Sequence, residues 1–194
     1  MLVLAAAIAW LLFLRAPGPG QIPSSVVADA TAAGCRPLER PVVADPSRDH
    51  LSPGDPFTYE DPPAAAGPHD PTPLPPDPHV YDRPVPETKA VHNLEHAYVL
   101  LWYRPTAEGG PSADVISRLA ALARDEDRVI MAPYPTLPAG IGLAFLAWNT
   151  RWECPGTLDA DRAAEITNAF IDAYRGTTNA PEAPRGLLGP LFTG

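Results

Sequence analysis

The chain has 194 residues and a formal charge of −9, with one lysine, Lys89, and its arginines scattered singly. That length suits one domain plus a tail, and the lack of a basic stripe to neutralise phosphates argues against a nucleic-acid partner. Twenty-seven prolines, most of them between Pro17 and Pro86 or after Asn179, exclude regular helix and sheet from much of those stretches.

Met1–Leu14 is an unbroken apolar run followed by Arg15 and then Ala16-Pro17-Gly18-Pro19-Gly20. Fourteen residues at ~1.5 Å each span only about 21 Å of a hydrocarbon core of roughly 30 Å, and no basic n-region precedes the run. Residues 1–15 therefore read as a single-pass membrane anchor whose start lies further upstream, with a cleaved signal and a secreted product as the alternative. Residues 16–33 read as a linker that needs no structure. From Gly34 to Glu87 a proline-rich arm is extended or turning, because proline fixes φ and keeps the preceding residue out of the α region. Its apolar anchors, Phe57, Tyr59, Val80 and Tyr81, predict a long loop wrapped on a core. Cys35 and Cys154 are the two cysteines. An exported location favours their pairing as one disulfide, the alternative being two buried thiols.

Regular structure begins near Thr88, which is placed to cap a short helical turn through His96. Ala97–Tyr103 is a continuous apolar run of the kind a buried strand shows. Ser112 then caps an amphipathic helix to Arg124, with Val115, Ile116, Leu119, Ala120 and Leu122 at helical spacing. Arg128–Ala132 reads as a second strand. Ile141–Trp148 reads as a third that continues toward Arg151–Cys154. Thr157 or Asp159 caps a last helix, with Ala163, Ile166, Phe170, Ile171 and Tyr174 on one face and Gly176 ending it. The order β-α-β-β-α, with two helices, predicts an α+β fold on a small mixed sheet. The second and third strands are expected to pair antiparallel across their proline-rich return. The domain spans residues 34–178, its arm residues 34–87, and a proline- and glycine-rich tail residues 179–194.

The chemistry converges on Val91–Tyr103. His92 and His96 lie four apart and share a face in a helix or a strand, while Glu95 joins them only in a helix. Four of the five histidines, His69, His79, His92 and His96, fall between residues 69 and 96, and neutral imidazole is the commonest ligand for zinc or copper. His69, stiffened by Gly67-Pro68, is the third candidate ligand and Glu95 the fourth. His79 is a weaker one, Met131 a soft axial group, and His50 reads as loop surface. The ordinary alternative is that these histidines cap or hydrogen-bond a core. His92-Asn93-Leu94-Glu95-His96 also matches the H-x-x-E-H pattern of inverted zinc peptidases, in which Glu95 would be the base and Glu165, 69 residues beyond His96, a downstream ligand. Nucleophile-elbow, phosphate-loop and C-x-x-C motifs are absent. Asp125-Glu126-Asp127 reads as a solvated turn.

Gly67-Pro68-His69, then Val80-Tyr81-Asp82 with Pro84 and Pro86, then Val91-His92-Asn93-Leu94-Glu95-His96, and Ala147-Trp148 before Cys154 resemble a bacterial family of membrane-anchored extracytoplasmic proteins of unknown function. Its pattern runs P-P-x-S-G-P-H, G-V-Y-x-x-P-x-P, V-H-x-L-E-H-G-x-V and A-W near a cysteine. Ala66 replaces the serine, His79 a glycine, and Ala97 the glycine after L-E-H, which predicts no positive φ at residue 97. The resemblance implies an exported domain with a histidine-centred site and supplies no activity. The expected function is a membrane-tethered, extracytoplasmic copper- or zinc-binding protein, with a zinc hydrolase or a metal-free interaction domain as alternatives. Whether it is an enzyme is left open. Its expected partners are the membrane, through the N-terminal segment, and a membrane protein of no stated identity.

Overall fold

The structure, a computed structural model, describes residues 18–184. The apolar run Met1–Leu14 and the end of the tail lie outside them. Among the described residues no helix is long and apolar enough to cross a membrane.

Four strands form one mixed sheet in the order β2-β1-β3-β4. They are β1 (Val99–Tyr103), β2 (Val129–Pro133), β3 (Leu143–Ala147) and β4 (Thr150–Cys154). β1 runs parallel to β2, in register Val99 with Val129, and antiparallel to β3, with Leu101 opposite Phe145. β2 and β3 are therefore not the antiparallel neighbours expected from their proline-rich return, because β1 lies between them. The helix α3 (Ala113–Asp125) joins β1 to β2 as the crossover that a parallel pair requires. β3 and β4 were expected as one strand. They are a hairpin, because Asn149 sits at φ 53° and turns the chain after Trp148.

Both faces of the sheet are buried, which is why β1, β2 and β3 are apolar nearly throughout rather than alternating, while the outer strand β4 carries buried Arg151 and Glu153. One face carries Val99, Leu101, Met131, Phe145 and Trp152 and packs on α3 and α4 (Ala160–Tyr174). The side chains of Ser112 and Asp159 cap α3 and α4. The other face carries Leu100, Trp102, Ile130, Leu146 and Trp148. It is covered by α2 (Glu87–Glu95) and by Ala64, Ala65, Ala66 and Leu74 of the proline-rich arm.

Residues 24–32 are not a structureless linker. Ser24–Ala32 form a helix, α1, whose Val26 and Ala30 are buried against α4. The stretch just before it is held too, since Gly20 N–H donates to Ala173 O and Gly20 O accepts from Arg40. Sequence reading passed over this element because alanine, serine and aspartate make its apolar face only two residues wide. The arm then lines both sheet edges: Glu39 pairs with Arg151 on β4, and Val80 with Met131 on β2. Covering the edges in this way removes the unpaired strand edges that invite aggregation. Arg151, 6% exposed, bonds Glu39 and Asp61 side chains and the carbonyls of Asp61 and Pro63, fastening the arm to β4. Cys35 and Cys154 form the expected disulfide, tying the end of α1 to the end of β4.

The tail is part of the fold as far as residue 184. Ala180 is buried, and Asn179 donates to Trp148 O.

Candidate metal centre

α2 is the helix that the H-x-x-E-H spacing required for a shared face. It starts after Pro86 with no side-chain cap, rather than at a capping Thr88. Its end is a Schellman motif: Tyr98 N–H donates to Asn93 O and Ala97 N–H to Leu94 O. Ala97 consequently adopts φ 64°, against the expectation that its alanine marked an ordinary conformation. Glycine is the residue this cap favours, and Ala97 accepts the strain in a buried position.

Asn93, inside the motif, fixes the loop that faces the helix: its side chain accepts from Leu74 N–H and donates to Leu74 O. That loop begins at His69. His69 N–H donates to Asp49 O and Leu51 N–H to His69 O, so a β-bridge holds His50 beside His69. The fold thus brings His50, read from sequence as loop surface, to the site. Nitrogens of His50, His69 and His92 all lie within 4.8 Å of one another. No local signal marks His50, because a bridge between two loops leaves no period in the sequence.

The ring orientations are set by the backbone. His92 Nδ1–H donates to Asp70 O at 2.7 Å, and His69 Nδ1–H to Gly67 O at 2.9 Å. A carbonyl only accepts, so each ring, when neutral, carries its lone pair on Nε2, the arrangement of metal-ligating histidines; that of His69 faces Glu95 and that of His92 faces His96. Burial, and secondarily the neighbouring imidazoles His69, His96 and His50, push the pKa of His92 below its ordinary value, against the opposing hydrogen bond to Asp70 O. The neutral ring is therefore favoured, with its Nε2 lone pair turned to His96 Nε2.

Glu95 Oε2 lies 3.1 Å from His69 Nε2, both residues being almost fully buried. The contact is not a hydrogen bond, and His69 Nε2 is a buried nitrogen with no partner. Among the described residues no arginine or lysine pairs with Glu95. A buried carboxylate facing a lone pair is unfavourable by several kcal/mol unless a proton or a metal cation joins them. The distance is also that of two ligands sharing one ion, since bonds of ~2.0–2.1 Å put neighbouring ligand atoms about 3 Å apart.

His96 stands one ring further out. Its Nε2 is 2.9 Å from His92 Nε2, its Nδ1 is 3.6 Å from Glu182 Oε2, and its side chain is 36% exposed. An open cleft of about 530 Å³ lined by Ser47, Arg48, Asp49, His50, Glu95 and Glu182 forms the mouth.

Three other sequence candidates lie elsewhere. His79 Nδ1 donates to Val129 O at the β2 edge. Met131 is buried in the opposite core. Glu165 is on α4, bonded to Arg162, in a groove beside the start of α1; with it on the far side of the sheet, the ligand set of an inverted zinc peptidase does not assemble. The Asp125–Asp127 turn is tied up by Arg175, which pairs with Glu126 and Asp127.

The profile of a family described as "Protein of unknown function (DUF3105)" matches residues 50–186. No curated protein and no solved structure matches the chain. The matched span contains His50, His69, His92, Glu95, His96 and Glu182.

Proposed function

Because the chain belongs to the DUF3105 family, whose function is unknown, we propose on the chemistry of the site that it is an extracytoplasmic protein binding one zinc or copper(II) ion. The supporting observation is the buried His69 Nε2, without a hydrogen-bond partner, 3.1 Å from the Glu95 carboxylate, which no arginine or lysine among the described residues neutralises. His50, His69 and His92 supply three imidazoles and Glu95 an anionic oxygen, borderline ligands that suit Zn²⁺ and Cu²⁺. With Met131 in the opposite core and both cysteines in a disulfide, these two soft groups are kept from the site. Bringing the nitrogens from within 4.8 Å to the ~3.3 Å of a tetrahedral site shortens no pair by more than about 1.5 Å, a movement shared by the exposed His50 ring and the side chains of His69 and His92. The disulfide is the bond an oxidising compartment forms, and the apolar run Met1–Leu14 is the reason to place the domain at the outer face of a membrane.

Elemental analysis of the full chain, purified without a histidine tag, should give one equivalent of metal. His69→Ala and His92→Ala should lose it, and His79→Ala should keep it. Glu95→Gln should weaken binding if the carboxylate is a ligand, and preserve it if the carboxylate is a base beside a metal-bound water. Equal metal content in the wild type and the His69 and His92 variants would end this reading.

A further inference from the structure

Four groups form a ladder from solvent to the buried site. Glu182 is 55% exposed at its side chain, His96 36%, His92 5% and His69 0%. Their facing atoms are 3.6 Å apart from Glu182 to His96 and 2.9 Å from His96 to His92, with His92 and His69 nitrogens within 4.8 Å. Two bonds of ~2.0–2.1 Å from one ion reach ligand atoms up to about 4 Å apart. Either outer pair is close enough to hold one ion jointly, but His96 faces Glu182 with Nδ1 and His92 with Nε2, so an ion taken up with Glu182 is carried inward by a turn of the His96 ring.

The outer members are placed by the backbone. Glu182 N–H donates to Glu95 O, so the tail docks on the last turn of α2 and sets the Glu182 carboxylate over His96. His96 itself is the C-cap residue of that helix. His92 Nε2 accepts from His96 Nε2–H, because His92 Nδ1 already carries the proton given to Asp70 O. A ring that holds the inner ligand by a single hydrogen bond and is one-third exposed is free to turn. The mouth carries Asp49, Glu95 and Glu182 against one cation, Arg48, on a chain of net charge −9, a field that draws divalent cations in and repels anions.

We propose that His96 and Glu182 are transfer ligands: they take a Zn²⁺ or Cu²⁺ ion at the mouth and hand it to His92 and the buried site. The bound metal is then exchangeable cargo rather than a permanent structural ion. This rests on the metal reading above, and it assigns His96 a kinetic role distinct from that of His69 and His92.

The test uses the full chain and Cu²⁺ in stopped flow, followed by quenching of Trp148, whose ring lies 6.2 Å from that of His69; Trp148→Phe identifies the signal. His96→Ala should keep one equivalent and an affinity within about threefold of wild type, with uptake and release to a chelator both slowed about tenfold or more. Glu182→Gln should slow uptake several-fold and flatten its salt dependence, since it removes a steering charge at the mouth. Loss of the equivalent in His96→Ala, with Glu182→Gln at wild-type rates, would make His96 a resident ligand and overturn the transfer role. Wild-type rates in both variants would overturn it as well. If the wild-type chain takes up no Cu²⁺ or Zn²⁺ at all, the metal reading falls and the inference with it.

Discussion

Gly67 holds His69 through its backbone alone. Its φ of 121° is open only to glycine, a Cβ there would meet the Tyr59 ring at 3.3 Å, and its carbonyl is the acceptor that orients His69. Gly67→Ala should therefore cost about 2–3 kcal/mol of stability and lower metal affinity roughly 10- to 100-fold. Denaturant titration and competition with a chelator measure the two effects. A variant with wild-type affinity would show that the Gly67 carbonyl is not what orients the ring. The glycine and proline before the histidine were legible as a rigid setting. The positive φ and the contact with Tyr59 were not, because both depend on where the arm lies.

At the scale of elements, α2 connects the site to the arm at both ends. Its C-terminal turn carries His92, Glu95 and His96. Its first residue, Glu87, accepts from Ala64 N–H and Tyr134 O–H. Burial raises the pKa of Glu87 above its ordinary value, although both hydrogen bonds act the other way. The folded protein therefore binds this proton more tightly than the unfolded chain. The contribution is complete below the unfolded pKa, ~4.3, and is lost as pH rises through the folded pKa. Urea midpoints of wild type minus Glu87→Gln should accordingly grow as pH falls from about 7 toward 4. A difference independent of pH would show that burial does not bias this carboxyl. α2 itself was readable as a helical turn because Lys89, Ala90, Leu94 and Glu95 favour helix. Its last turn was misjudged, since a Schellman cap forces residue 97 to positive φ whichever side chain occupies it.

Over the whole molecule, the disulfide and the Arg151 network fasten the arm to the outer strand β4. The bridge closes a separation of 119 residues, worth about 4–5 kcal/mol on chain-entropy grounds. The Cys35→Ala/Cys154→Ala double variant should lose most of that in urea unfolding while still binding one equivalent of metal below its transition. Loss of metal at native-like secondary structure would mean that the bridge holds the site as well as the fold.

Period and composition were enough for the α+β class, the mixed sheet, the two amphipathic helices and the wrapped arm. Buried strands and helix faces write their neighbours into local apolar spacing. The same spacing put His92, Glu95 and His96 on one face once the segment was helical. The pairing of Cys35 with Cys154 followed from there being two cysteines in a chain read as exported. Only the tertiary structure decided that β1 lies between β2 and β3, that Asn149 splits one apolar run into a hairpin, and that Ser24–Ala32 is helix. It alone brought His50 beside His69 while leaving His79, Met131 and Glu165 elsewhere. These are contacts between segments distant along the chain or loops without a repeat, and such contacts impose no periodicity that a reading along the sequence can detect.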